Sequence, residues 1–158
     1  MKRKGLSPVI ATVLLIAMVV VIALIIFLWF RGLVGEAITK FGEKNIKLVC
    51  DDVRFQASYA AGTLSISNTG TVPIYSINLR IVRPGSYTTE DLRVPQTFVD
   101  INWPDLGLNQ GEAFAADIGG QLPSDTNEMV LVPILVGKSK QGEETHICED
   151  RHGYKISL

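Results

Sequence analysis

One stretch near the start of the chain limits its folding more than any other. From Leu6 to Phe30, 25 residues pass without a charge, and Ser7 and Thr12 carry the run's only hydroxyls. A helix rises about 1.5 Å per residue, so this run covers roughly 37 Å, more than the ~30 Å hydrocarbon core of a bilayer. It is apolar on every side. A helix of that kind belongs in lipid or in the middle of a helical bundle, not on the surface of a soluble domain. Pro8 stands near its start, where a missing N–H costs little. Trp29 and Phe30 close it and Arg31 follows, a sequence suited to a membrane–water interface. The basic cluster Lys2, Arg3 and Lys4 precedes the run and predicts a cytoplasmic N-terminus, which places residues 31–158 outside the membrane.

A secretory signal has an apolar core of about 7–15 residues followed by a small-residue cleavage site. Here the run is longer, and its exit, FLWFRGLVGE, offers no such site. The cut that the sequence does offer lies before the run, between Gly5 and Leu6. Cleavage there removes the basic residues and keeps the hydrophobic helix. That is useful to a chain whose helix must later leave the bilayer and pack into something else.

The stretch KRKG-LSPVIATVLLIAMVVVIAL resembles the N-terminus of archaeal type IV pilins and archaellin-like proteins. The resemblance implies a leader, residues 1–5, cut after Gly5 by a prepilin peptidase on the cytoplasmic face, with Leu6 as the first mature residue. It implies that the helix from Leu6 to about Phe41 forms the core of a filament. It also implies homo-oligomerisation through these helices, handling by a membrane assembly machinery, and a β-rich head at the cell surface. The chain departs from the bacterial relatives at the fifth mature position. Those carry a Glu, and here the residue is Ile10, so no assembly step that uses that carboxylate carries over.

Without residues 1–5 the chain keeps 12 basic residues (15 − 3) against 16 acidic ones, a net charge of −4, all of it at or beyond Arg31. A mixed, acidic surface argues against nucleic acid as a partner and suits a solvated head. Apolar residues at Leu33, Val34, Ala37, Ile38 and Phe41 keep helical spacing, and Gly42 is the expected stop. Gly32 and Gly35 each cost roughly 1 kcal/mol relative to Ala inside a helix. They read as a hinge, or as points of close helix–helix approach.

The organisation expected is therefore a leader at 1–5, a helix at 6–42 and a head at 43–158. In the head the pattern changes to short runs broken by turn residues. Strands are expected at Ile46–Val49, Val53–Tyr59, Thr63–Ser67, Ile74–Val82, Thr97–Asn102, Glu112–Ile118, Glu128–Val136, Thr145–Cys148 and Tyr154–Ser157. Between them lie turn sequences such as A-A-G, N-T-G, R-P-G-S and N-Q-G. The fold class is α+β, a long helix followed by an antiparallel β-sandwich, immunoglobulin-like or closed into a small barrel. Pro133 interrupts the run Val130–Val136 and predicts a sheet edge or a bulge there.

Cys50 and Cys148 lie near the two ends of the head, on the oxidising side of the membrane, and are expected to form a disulfide. The donors His146, Cys148 and His152 in T-H-I-C-E-D-R-H match no zinc spacing. Asp51, Asp52, Glu149 and Asp150 are a weak calcium set, read better as a solvated acidic edge. No metal and no cofactor is expected. There is no G-x-S-x-G, no H-E-x-x-H and no phosphate loop, so the chain reads as a non-enzyme. The sequence leaves two uses for the head, sheath of a filament or a minor, tethered module that binds a surface. Tyr87 and Trp103-Pro104 are aromatic candidates for the second, although single exposed aromatic residues are common and usually carry no function.

Overall fold

The computed structural model describes residues 8–33, 39–40, 44–139 and 142–158. Lys2, Arg3, Lys4, the Gly5–Leu6 pair and the helix stop at Gly42 lie outside the described residues. The chain divides into two compact units, Met1–Ala37 and Ile38–Leu158.

In the first unit, helix α1 spans Pro8–Leu33. Proline begins it, where its fixed φ fits and no N–H is needed. Thr12 Oγ1 donates to the Val9 carbonyl at 2.9 Å, so this hydroxyl near the helix start is satisfied within the helix. The helix passes through Gly32. Its expected continuation to about Phe41 does not hold, because Thr39 and Lys40 are in a strand.

The second unit is built from β1 (Thr39–Lys40), β2 (Lys44–Asn45), α2 (Ile46–Cys50), β3 (Phe55–Ala60), β4 (Thr63–Asn68), β5 (Ser76–Arg83), β6 (Ser86–Asp91), β7 (Ala113–Asp117), β8 (Glu128–Ser139), β9 (Gly142–Ile147), a 3-10 turn at Asp150–His152, and β10 (Tyr154–Ser157). All pairings are antiparallel. One sheet runs β2-β1-β8-β5-β6, with β9 and β10 also paired to β8, and a second runs β3-β4-β7. The architecture is α+β, an apolar helix followed by antiparallel sheets. One buried cluster serves both sheets. It takes Leu64 and Ile66 from β4, Phe114 from β7, Ile77 and Leu79 from β5, and Met129 to Val132 from β8.

Strand β8 is the hub. It pairs with β5 from Glu128 to Ile134, with β10 from Glu128 to Leu131, and with β9 from Ile134 to Ser139. With neighbours along both edges, every residue from Met129 to Leu135 is buried, which explains a run without alternation. Pro133 is therefore in a central strand, not at an edge. It stands where one flanking partner gives way from β10 to β9, and its carbonyl accepts from the Cys148 N–H at 3.0 Å. The residue that faces it on that side, Cys148, lies just beyond the end of β9, so the missing N–H falls outside the β8–β9 and β8–β10 ladders.

Three other expectations change. Ile46–Val49 is helical, not extended. Asn45 caps the turn by accepting from Lys47 N at 3.0 Å, and Ile46, Val49 and Cys50 are the buried residues. That is i, i+3, i+4 spacing, which four residues alone do not separate from alternation. Thr97–Asn102 forms no strand. Its backbone is held by side chains instead: Thr97 N donates to Glu90 Oε2 at 3.1 Å, and Val99 exchanges hydrogen bonds with the Gln121 amide. Ser86–Asp91 is a strand that the sequence pattern does not announce. It pairs with β5 through a Pro84-Gly85 loop, with Gly85 at φ +75°.

The N-T-G turn holds a buried hub. Asn68 donates from Nδ2 to the carbonyls of Val72 and Leu108, both at 2.9 Å, and accepts from Gly70 N at 3.0 Å. It ties β4 to the loop that precedes β7.

Candidate functional site

Two features carry chemistry. The first is α1. Every side chain from Pro8 to Trp29 is exposed, and these 22 residues form a segment long and apolar enough to cross a membrane. Burying one Leu, Ile, Val or Phe stabilises by about 1.5–3 kcal/mol. Summed along the helix, the free energy left unrealised is on the order of tens of kcal/mol. Such a surface is compatible with a single-pass membrane anchor.

The second feature is the edge where the head's two ends meet. Cys50, the last residue of α2, is bonded to Cys148, just beyond β9, with Cα atoms 5.8 Å apart. The expected bridge is formed, and both cysteines are buried. The chain after Cys148 turns back through Asp150–His152, and this brings His152 to the bridge. The His152 side chain is 10% exposed, and its Nε2 lies 2.7 Å from Asp51 Oδ1. Its Nδ1 is buried without a hydrogen-bond partner. The His152 hydrogen bond is the main cause that holds the Asp51 carboxyl below the usual carboxylate range. Arg151 and Arg54 act in the same direction, and desolvation opposes them. The ionised Asp51 accepts from Nε2–H, and in a neutral ring with that tautomer the lone pair is on Nδ1.

The acidic residues here do not converge on a common point. Asp52 pairs with Lys44 at 2.6 Å, Glu149 with Arg151 at 3.1 Å, and Asp150 with Arg80 through two contacts, 2.5 and 3.1 Å. Asp150 raises the Arg80 pKa. Each of these carboxylates has a cationic partner. The Arg80 pair also anchors the 3-10 turn to β5. His146 is not in this cluster. Its half-buried ring, on β9, has a pKa lowered by desolvation first and by Lys47 second, against Glu149.

The aromatic candidates divide. Trp103 belongs to the core: it is 5% exposed, packs on Phe114 with ring centroids 4.8 Å apart, and donates from Nε1 to the Tyr75 carbonyl at 2.8 Å. Tyr87 is exposed, with the Arg80 guanidinium 5.4 Å from its ring centroid. Spacing along the sequence gave no sign of the His152–Asp51 pair, because its members are 101 residues apart.

Comparisons with protein-family models, with curated proteins and with solved structures find no match to this chain.

Proposed function

We propose that the chain is the structural subunit of an archaeal type IV pilus-like surface filament, and not an enzyme. The observation that carries this reading is α1, a helix whose side chains are exposed and almost all apolar from Pro8 to Trp29. The basic residues Lys2, Arg3 and Lys4 and the Gly5–Leu6 junction ahead of it supply the processing signal. In this reading a prepilin peptidase cuts after Gly5 on the cytoplasmic side. The mature helix waits in the membrane with the head outside. A membrane assembly machinery then transfers helices from lipid into a bundle, where Val, Ile and Leu pack at interior density. The heads, two-sheet sandwiches of the immunoglobulin-like kind in this proposal, face solvent around that core. The Cys50–Cys148 bridge fits an oxidising exterior. A net charge of −4 on the mature chain (12 basic, 16 acidic) does not favour nucleic acid.

The test is the intact mass and N-terminal sequence of the chain from cells that contain an active prepilin peptidase. A mature start at Leu6 is expected, with filaments in sheared surface material by electron microscopy. A start at Met1 beside a processed control substrate would refute the reading.

A further inference from the structure

Among the described residues, one cluster brings metal-type donors together: a ring nitrogen of His152 and the sulfurs of Cys50 and Cys148, all within 4.8 Å of one another. The three sit on separate pieces of chain, α2, the residue after β9, and the 3-10 turn. Three features make the cluster more than a disulfide with a neighbour. His152 is nine-tenths buried, so its ring is fixed in place. Its Nε2 is held by Asp51 at 2.7 Å, while Nδ1 is buried and has no hydrogen-bond partner. A buried polar atom without a partner is rare in a folded protein and calls for an explanation. Finally, a carboxylate behind the far nitrogen is the arrangement found behind metal-bound histidines, where it sets the tautomer and strengthens the ligand.

We propose that the thiol form of this site binds one zinc ion through Cys50 Sγ, Cys148 Sγ and His152 Nδ1, with Asp51 orienting the histidine and water as the fourth ligand. Two cysteines and one histidine are a standard zinc donor set. The thiol form is reached when a dithiol donates two electrons and two protons to the Cys50–Cys148 bond and becomes a disulfide itself. Zinc then displaces the two thiol protons and keeps its oxidation state. In the reverse direction a disulfide oxidant takes two electrons from the thiolates, the S–S bond forms again, and zinc leaves. The head's two ends thus stay joined in either redox state, by the covalent bond outside the cell and by the ion before that bond has formed.

The test uses the full chain in detergent micelles, reduced by a phosphine under argon and then desalted, with cobalt(II) as a coloured substitute for zinc. The reduced wild type should take up one cobalt per chain, with thiolate-to-cobalt charge-transfer bands and tetrahedral d–d bands that zinc abolishes. The oxidised chain should show none of these. Asp51→Asn should weaken uptake by about 10–100-fold, and His152→Ala by more. His146→Ala, which alters a histidine outside the cluster, should bind as wild type does. Circular dichroism on the same samples reports whether the head is folded. The proposal is overturned by equal uptake in His152→Ala and wild type, by thiolate bands in the oxidised chain, or by no uptake in the reduced one. A reduced head that unfolds and is not restored by one equivalent of zinc would also overturn it.

Discussion

Removing the Cys50–Cys148 bridge should lower the head's melting temperature by close to 20 °C. The bridge closes a loop with a sequence separation of 98. In the chain-entropy treatment a loop of about 100 residues constrains the unfolded state by about 4.7 kcal/mol. The unit that melts, Ile38–Leu158, has 121 residues (158 − 38 + 1). At about 2.1 cal/mol/K per residue its unfolding entropy is roughly 250 cal/mol/K, and the quotient is a drop of about 19 °C. Domains of this size are stable by ~5–15 kcal/mol, so the loss takes a third or more of the total. The variant to use is Cys50→Ala with Cys148→Ala, because a serine at a buried site adds the separate cost of an unpaired hydroxyl. Scanning calorimetry of the full chain in micelles, with a chelator present, should show the variant well below wild type. Reductant should bring wild type down to the variant and leave the variant unchanged. A drop under about 5 °C would refute the loop argument, as would a variant that still responds to reductant.

Asn68→Ala should destabilise the head by about 2 kcal/mol, read from urea midpoints, because the buried Val72 carbonyl loses its donor, while the Leu108 carbonyl keeps Ile74 N and the Gly70 N–H keeps Arg54 O. A cost below about 1 kcal/mol would mean that water replaces the side chain. Stability should fall on acidification in two windows. The His146 pKa is lowered in the fold, so the unfolded chain binds the proton first and stability begins to drop as pH falls through about 6.5. The Asp51 pKa is also lowered, so its contribution is present above about pH 4 and lost as pH falls further. His146→Gln should remove the first step and Asp51→Asn the second, and an unchanged pH profile in either variant would contradict the assignment. Val20→Asp puts a charge in the middle of α1 and should abolish filaments, since an unpaired charge costs several kcal/mol in lipid or in a dry bundle. Normal filaments from that variant would mean that α1 is not their core.

The features legible in the sequence are those set by many residues in a row. Residues 8–33 are helical because a long apolar run has few other ways to satisfy its backbone. Strands β3, β4, β7 and β10 lie close to where alternation and turn residues predict them. Errors fall where a segment is short or where its partner decides. Ile46–Cys50 is one helical turn, too brief for its period to be read. Strand β6, S-Y-T-T-E-D, is exposed on both faces for most of its length and has no apolar signal to give. It is a strand because the Pro84-Gly85 loop delivers it to the edge of β5. Thr97–Asn102 has the composition of a strand, but no strand lies beside it, and the side chains of Glu90 and Gln121 take over its backbone groups.

The cysteine–histidine cluster was hidden for a related reason. The sequence places His146 two residues before Cys148 and His152 four residues after it, and by distance along the chain His146 is the nearer candidate. The fold separates them. Strand β9 keeps His146 in the ladder opposite Leu135, whereas the 3-10 turn carries His152 back to Asp51. That turn is held by the Arg80–Asp150 pair on one side and the bridge on the other. Spacing rules describe sites whose ligands lie on one local scaffold. Here the ligands come from both ends of the head, and the two cysteines meet because sheet pairing across β8 has already brought those ends together. The bridge that pins the ends and the histidine that faces it are therefore consequences of one topology. A perturbation of the Arg80–Asp150 anchor should loosen His152 without breaking the disulfide.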